Sequence, residues 1–368
     1  MKIKKLVAML TTAMLTTSLL VGCGASTDSG DAGQAAPSET TEVAVGLATD
    51  EGGLNDKSFN QSADEGVKKA EKEFGIKYNS IESKKKEDYE PNLQSLVDNG
   101  ANLVFGIGFQ LEEAVKNTAA NNPDVKFGIV DTVVEAPNVM SIMFKQNEGS
   151  FLAGVIAGKM TKTNKIGFIG GKDFPSIQEF ESGFIAGVKA VNPEAAKTLE
   201  SPDGKQAGQF VKYADSFDDT NKGYELAKSL YGAGCDVIYH AAGGVGIGVF
   251  KATKELRDAG KDVWAIGVDK DQAVELPEYA DVILTSMVKR VDIGTYDTVK
   301  AAVEGNFKPG TVTLGVKDGA VGLAPTTNKN TPKEVIDVAE EFKVKISNGE
   351  ITVPATRQEV IDFKVENK

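Results

Sequence analysis

The chain has 368 residues and a formal net charge of −12, with 53 acidic against 41 basic side chains. That balance excludes a nucleic-acid surface, which needs clustered Lys and Arg to hold phosphates. The length exceeds one ordinary domain and predicts two, and a hydrophobic fraction of 41 % suits a globular protein.

Taken from its start, the chain opens with Lys2, Lys4 and Lys5, an apolar run from Leu6 to Leu20, and then Leu20-Val21-Gly22-Cys23. A basic start, a short apolar core and small residues at a cleavage point form an export signal. The Leu-Val-Gly-Cys run resembles the lipobox of bacterial lipoproteins, which implies that Cys23 is acylated and becomes the first mature residue. The expected location is the extracytoplasmic face of the cell membrane, on a lipid anchor. Loss of residues 1–22 leaves a net charge of −15. Such a chain does not hold to anionic lipid by charge, so acyl chains must anchor it, at about 0.8 kcal/mol per buried CH₂. No second apolar run approaches the ~18 residues that a membrane span requires. Residues 24–41 are small and polar without periodicity, and read as a flexible tether. With Cys23 lipidated, Cys235 has no disulfide partner; it reads as a small core residue.

From Glu42 onward, short β-branched runs alternate with amphipathic stretches. Strands are expected at Val43–Thr49, Leu103–Gly106, Val125–Val130, Lys165–Gly170, Asp236–His240 and Trp264–Val268. Helices are expected at Phe59–Phe74, Tyr89–Asn99, Leu111–Ala120, Ile177–Val191, Thr220–Tyr231 and Gly248–Ala259. That alternation makes an α/β protein of parallel sheets covered by helices. Ile283–Met287 reads as a strand returning toward the first lobe, followed by helices over Asp292–Glu304 and Pro332–Ser347.

An internal repeat organises these elements. EVAVGLAT matches NKIGFIGG (164–171), SLVDNGANLVFGIG (95–108) matches SLYGAGCDVIYHAAGG (229–244), and DVKFGIVD (124–131) matches DVWAIGVD (262–269). Two copies of one doubly wound unit are expected, joined near residues 145–163. The expected lobes are 42–147 plus about 288–318, and 148–287 plus about 319–368, with a multi-strand hinge between them. Doubly wound sheets bind ligands beyond the carboxyl ends of their strands, so the repeat places Asp131 and Asp269 at equivalent strand ends facing one cleft.

Several chemistries lack their parts. His240 is the one histidine, which leaves no His pair for zinc, and neither G-x-S-x-G nor a P-loop lysine motif occurs. The run GGVGIG (243–248) does not fit G-x-G-x-x-G and reads as a strand-to-helix turn, with its backbone close to ligand or to the opposite lobe. His240 reads as a polar residue at a strand end.

What remains is a constellation at the strand ends. After the first strand comes Asp50-Glu51-Gly52-Gly53-Leu54-Asn55-Asp56-Lys57-Ser58-Phe59-Asn60-Gln61. Ser58 and Gln61 form S-x-x-Q, the pattern of a capping box, which places Phe59 in the first helical turn as either core or exposed platform. Phe217, in YADSFDD, is a second candidate aromatic, whereas Phe180 and Phe184 have helix-packing spacing and are assigned to the core. Asp269 is the strand-end acid of the second unit, and Lys289 follows the returning strand. Two aromatics with carboxylates and a lysine between them suit a flat polar ring carrying vicinal hydroxyls. Stacking contributes roughly 1–3 kcal/mol per base, and a charged hydrogen bond roughly 1.5–3 kcal/mol. Paired acids also serve glycosidases, but a hinged, tethered cleft suits capture.

The motifs DEGGLNDKSFNQ, GIVD, SFDD, HAAGGVGIGVF, IGVDKDQ and TSMVK together resemble the basic membrane protein family of lipoproteins, over roughly residues 43–325. These are nucleoside-binding receptors of ATP-binding-cassette importers. The resemblance implies a type I periplasmic-binding fold, a purine nucleoside as ligand and a membrane permease as partner; a monomer is expected, and with the catalytic parts missing, neither enzyme activity nor a cofactor. Carried over by motif, Phe59 and Phe217 sandwich the base, Asp131 and Asn60 contact its edge, Asp269 and Lys289 hold the ribose hydroxyls, and Asp50 and Gly243 line the pocket. An insertion near residues 202–209 leaves Phe210 as a rival to Phe217. A sugar or autoinducer receptor on the same fold and a surface nucleoside hydrolase stand as alternatives.

Overall fold

The computed structural model describes residues 42–364. The expected export signal, Cys23 and tether lie outside the described residues. In chain order the first elements are β1 (Ala44–Ala48), α1 (Phe59–Phe74), β2 (Lys77–Ile81), α2 (Tyr89–Asp98), β3 (Leu103–Gly106), α3 (Glu112–Asn121), β4 (Lys126–Val130) and β5 (Val139–Phe144). Then come α4 (Gln146–Met160), β6 (Ile166–Gly170), α5 (Pro175–Val191), α6 (Pro193–Ala196), β7 (Val211–Tyr213), α7 (Thr220–Gly232), β8 (Val237–Ala241), α8 (Val245–Asp258), β9 (Trp264–Asp269), α9 (Gln272–Glu275) and β10 (Ile283–Lys289). The last are α10 (Val291–Val303), β11 (Gly310–Leu314), β12 (Val321–Leu323), α11 (Lys333–Ser347) and α12 (Arg357–Asp362).

The strands form two six-stranded sheets, β11-β5-β4-β3-β1-β2 and β12-β10-β9-β8-β6-β7. Every pairing is parallel except β10 with β12. Central strands of such sheets are covered by helices on both faces and read as unbroken apolar runs; every residue of β3 and β8 is buried. The two sheets share one strand order, so β1 corresponds to β6, β3 to β8 and β4 to β9. The correspondence reaches single contacts. A Cβ on Gly46 of β1 would lie 2.8 Å from Leu96, and one on Gly167 of β6 would lie 2.9 Å from Leu230. Both leucines come from the repeated Ser-Leu dipeptide, so each copy seats the same helix on the same strand.

The chain passes between the sheets after β5, after β10 and after β11. The strand expected to return toward the first lobe does not do so. β10 stays in the second sheet, parallel to β9, because its apolar run is buried on both faces. The return is made by α10, which packs on α1, and by β11, which pairs with β5. The expected junction at 145–163 also changes. The crossing occurs at Lys145, and α4 packs within the second lobe on α5, β10 and β12. This helix is buried almost all round, so it has no amphipathic stripe to read.

Glycines let α4 and α5 approach closely. A Cβ on Gly154 would collide with the Phe184 carbonyl oxygen, one on Gly183 with that of Asn147, and one on Gly187 with that of Phe151. Backbone cannot yield as a side chain does, so Gly187→Val is expected to destabilise the protein by about 3 kcal/mol or more. Gly232→Ala in α7, where a Cβ meets nothing within 4 Å, is expected to gain roughly 0.5–1 kcal/mol. Urea denaturation of the two variants checks both signs.

Candidate ligand-binding site

The carboxyl ends of β1, β3 and β4 face those of β8, β9 and β10 across a cleft. Asp50, Phe59, Asn60, Asp131, Phe217, Gly243, Asp269 and Lys289 all line it, so the structure brings together every cleft residue expected from the sequence.

On the first-lobe side, the turn after β1 is built by its own polar groups. Gly52 N–H donates to Asp50 Oδ1 at 3.0 Å, and Asn60 Nδ2 donates to the same oxygen at 2.8 Å. That leaves Asn60 Oδ1 buried with no hydrogen-bond partner among the described residues. The expected capping box is not formed: the Ser58 side chain makes no cap. Asp56 takes that place, accepting from the backbone N–H groups of Ser58 (2.9 Å), Asn60 (2.8 Å) and Gln61 (3.1 Å). A carboxylate with two oxygens serves three donors where a hydroxyl serves one, and its charge suits a helix N-terminus. Gly108 (φ 103°) then brings the loop after β3 against this turn, where a Cβ would lie 3.3 Å from Asp50 and 3.4 Å from Phe59.

The other end of the cleft holds the strand-end acids. Asp131 and Asp269 adopt the same left-handed backbone, with φ 66° and 64°, as their equivalence requires. Non-glycine residues seldom occupy that region, and short polar side chains tolerate it best. The Lys289 ammonium, on a side chain only 1 % exposed, donates to Asp131 Oδ2 across the cleft. Its bonded partner is thus Asp131 rather than Asp269. The same ammonium lies 4.9 Å from the Phe59 ring centre and 5.3 Å from those of Phe144 and Phe180, within cation–π range. Asp131 Oδ1 has no hydrogen-bond partner among the described residues, and Asp269 Oδ2 accepts from Ser58 Oγ at 2.5 Å.

Among the aromatics, Phe59 and Phe217 are half-buried at the cleft, whereas Phe210 is core. The Phe217 ring lies on the backbone of Gly171, where any Cβ would collide with it. Phe184 is core as expected, but Phe180 lines the cleft as well as packing in the core. Phe109 also lines the cleft, its ring 6.3 Å from Phe217 and 5.0 Å from Phe174 of the opposite lobe. Beside them Lys172 bonds Glu51 at 2.5 Å and Gln110 at 2.8 Å, holding the lobes together at the mouth.

Phe109, Asp56 and Gly52 were not assigned to the cleft from the sequence, and Phe180 was assigned to the core. The repeat carried a signal for Phe109, which aligns with Gly243. Phe180 carried none, because helix-packing spacing is the same for a core ring and a ring at a cleft floor. The glycine run divides its roles. Gly243 lines the cleft, whereas a Cβ on Gly246 would strike His240 and one on Gly248 the Thr220 carbonyl. His240 is fully buried beneath that turn, and burial lowers its pKa to about 4. Burial likewise pushes the Cys235 thiol up to about 12, far from a reactive thiolate.

Four carboxyl groups line the cleft with one ammonium. Burial raises Asp50, takes Asp56 to about 7 and takes Asp269 to about 6; Lys289 opposes the last shift. At these three groups the folded state therefore binds more protons than the unfolded chain between pH 4 and 7, and they cost stability as pH rises. Asp269→Asn keeps an oxygen for Ser58 and tolerates the positive φ. In ligand-free protein it is expected to stabilise by on the order of 2 kcal/mol at pH 8, with the gain vanishing near pH 4. Denaturant midpoints of the two proteins across that range check it.

Comparison with known proteins agrees with the fold. Residues 43–357 match the family model Bmp, described as ABC transporter substrate-binding protein PnrA-like. A CD4+ T-cell-stimulating antigen of Listeria monocytogenes is 40 % identical, over 95 % of this chain and 99 % of that protein. The ABC transporter nucleoside-binding protein BmpA of Lactococcus lactis is 38 % identical, over 96 % and 99 %. A solved ABC-transporter solute-binding protein of Aeropyrum pernix superposes with a TM-score of 0.73 at 27 % identity, covering 87 % of this chain and 96 % of that one.

Proposed function

The chain belongs to the PnrA-like family of ABC transporter substrate-binding proteins, and on that premise we propose a lipid-anchored extracytoplasmic receptor that captures a purine nucleoside and delivers it to the permease of an ABC importer. The observation that carries this reading is the cleft itself: half-buried rings from both lobes, with unpartnered acceptors at its two ends. The nucleoside is taken over from the name of the Lactococcus relative and fits those groups. Asp50 follows β1 and holds Asn60 of α1 by a hydrogen bond, and Asp131 lies two strands away at the end of β4. Two strand spacings are about 10 Å, comparable to the length of a nucleoside. The Lys289–Asp131 bond groups Asp131 with Asp269. We therefore assign the ribose hydroxyls to Asp131 Oδ1 and Asp269, the base edge to Asp50 and Asn60, and stacking to Phe59 and Phe217.

Mass spectrometry of material released when the freshly purified protein is denatured tests this. An intact purine nucleoside is expected. Free base and ribose would point to a hydrolase, and a sugar alone to a sugar receptor. Anchoring is tested separately: Cys23→Ser is expected to move the protein from the membrane to the soluble fraction with nucleoside affinity unchanged.

A further inference from the structure

Lys57 and Ser58 stand outside the cleft lining, yet both reach the opposite lobe. Ser58 is fully buried just ahead of α1. Because Asp56 supplies the helix cap, the Ser58 hydroxyl is free to point away from its own helix, and it donates to Asp269 Oδ2 at 2.5 Å. The preceding carbonyl, Lys57 O, accepts from Gln272 Nε2 at 3.1 Å. Gln272 is locked in place: its Oε1 accepts from Val268 N at 2.9 Å and its N–H donates to Ser286 Oγ at 3.1 Å. Lys57 holds a left-handed φ of 56°, a strained conformation that persists only where its surroundings impose it. Two left-handed turns, one from each lobe, thus interlock at Asp269.

We infer that Ser58 is a positioning residue that couples lobe closure to the ligand acceptor Asp269. The inference rests on the receptor reading, in which Asp269 binds ligand. With Oδ2 held from the first lobe, the carboxylate presents Oδ1 in one orientation, and only when the lobes meet. Docking of the turn and orientation of the acceptor become one event, so ligand that engages Asp269 also holds the cleft shut. A neutral hydroxyl does this without adding charge to a site already rich in carboxylates. The other contacts nearby are weaker candidates. Gln61 donates to Glu275 at 2.7 Å and Lys270 pairs with Glu65 at 2.5 Å, but the Glu65 side chain is 47 % exposed, where water and salt screen the pair.

The test uses the full chain, with inosine as probe, and the variants Ser58→Ala and Ser58→Thr. Ser58→Ala is expected to release inosine about tenfold faster, the effect of one lost charged hydrogen bond, with the association rate nearly unchanged. A second readout separates positioning from mere packing. The groups facing Asp269 are Lys289 from β10, Asp131 from the end of β4, Asp56 and Ser58. The Ser58 hydroxyl favours the charged carboxylate, so its loss moves the acid-side midpoint of inosine affinity upward, and Ser58→Thr restores it. Wild-type release rate and an unmoved pH profile in Ser58→Ala would overturn the inference. If the wild-type protein binds no nucleoside, the receptor reading fails, and X-ray scattering of ligand-free protein decides the latch. A more extended Ser58→Ala supports it, and superimposable profiles refute it.

Discussion

Lys289→Met is expected to weaken nucleoside binding by about a hundredfold or more at neutral pH. The side chain is 1 % exposed and bonded to Asp131, whose own side chain is 10 % exposed. Removing one member of such a pair leaves an uncompensated buried charge, at a cost of roughly 3–5 kcal/mol. The ammonium also lies over Phe59, at 4.9 Å, so its loss removes a cation–π contact from the ring to which stacking is assigned under the proposed function. Lys289→Arg is not expected to rescue, since a planar fork cannot replace a point donor enclosed by three rings. Calorimetry of the two variants against wild type checks both statements. Affinity within threefold of wild type for Lys289→Met would remove Lys289 from the site.

Arg357→Met is expected to destabilise the fold by about 3–5 kcal/mol while leaving affinity in the surviving folded protein nearly unchanged. Arg357 lies at the start of α12, far along the chain from the cleft residues, and is 4 % exposed. Its Nε and Nη2 each donate to Glu181 at 2.8 Å, in the two-pronged geometry that makes such pairs strong. It also donates to Asp173 at 2.9 Å, to the Lys205 carbonyl at 2.8 Å and to Tyr213 Oη at 3.1 Å. Glu181 is 0 % exposed, so it cannot turn to water when its partner goes. The same interior location suggests the control. Arg357→Met combined with Glu181→Leu is expected to recover much of the loss, because replacing a whole buried pair by apolar groups is near neutral. Urea midpoints of single and double variants measure this, and a double variant no more stable than the single would contradict it.

These two residues also mark what could and could not be read from the sequence. Lys289 stood in a motif at the end of a buried apolar strand, and strand ends in parallel sheets point at ligands. Asp131 and Asp269 were legible for the same reason, reinforced by the repeat. Helix α1 was legible to the residue, Phe59–Phe74, because its apolar spacing and polar start agree. What stayed hidden depends on contacts between distant segments. The acceptor that Lys289 chooses is set by how the lobes close, and Asp131 and Asp269 are indistinguishable in the repeat. Ser58 carried a capping signal that Asp56 overrode. α4 lacked a polar face, and β2 and β11, edge strands with mostly exposed residues, lacked the buried alternation that reveals a strand. Arg357 lay beyond every motif, in a short helix whose role is visible only in its buried partners.

In the proposed function one nucleoside is held between the lobes through base and ribose together. Isothermal titration of ligand-free protein with inosine, and separately with ribose and with hypoxanthine, tests it most directly. One inosine per protein is expected, with a dissociation constant in the micromolar range or below, and binding of each half at least about a hundredfold weaker, since each engages one end of the cleft. Ribose binding as tightly as inosine, or no heat with inosine or guanosine at about 50 μM protein, would contradict it.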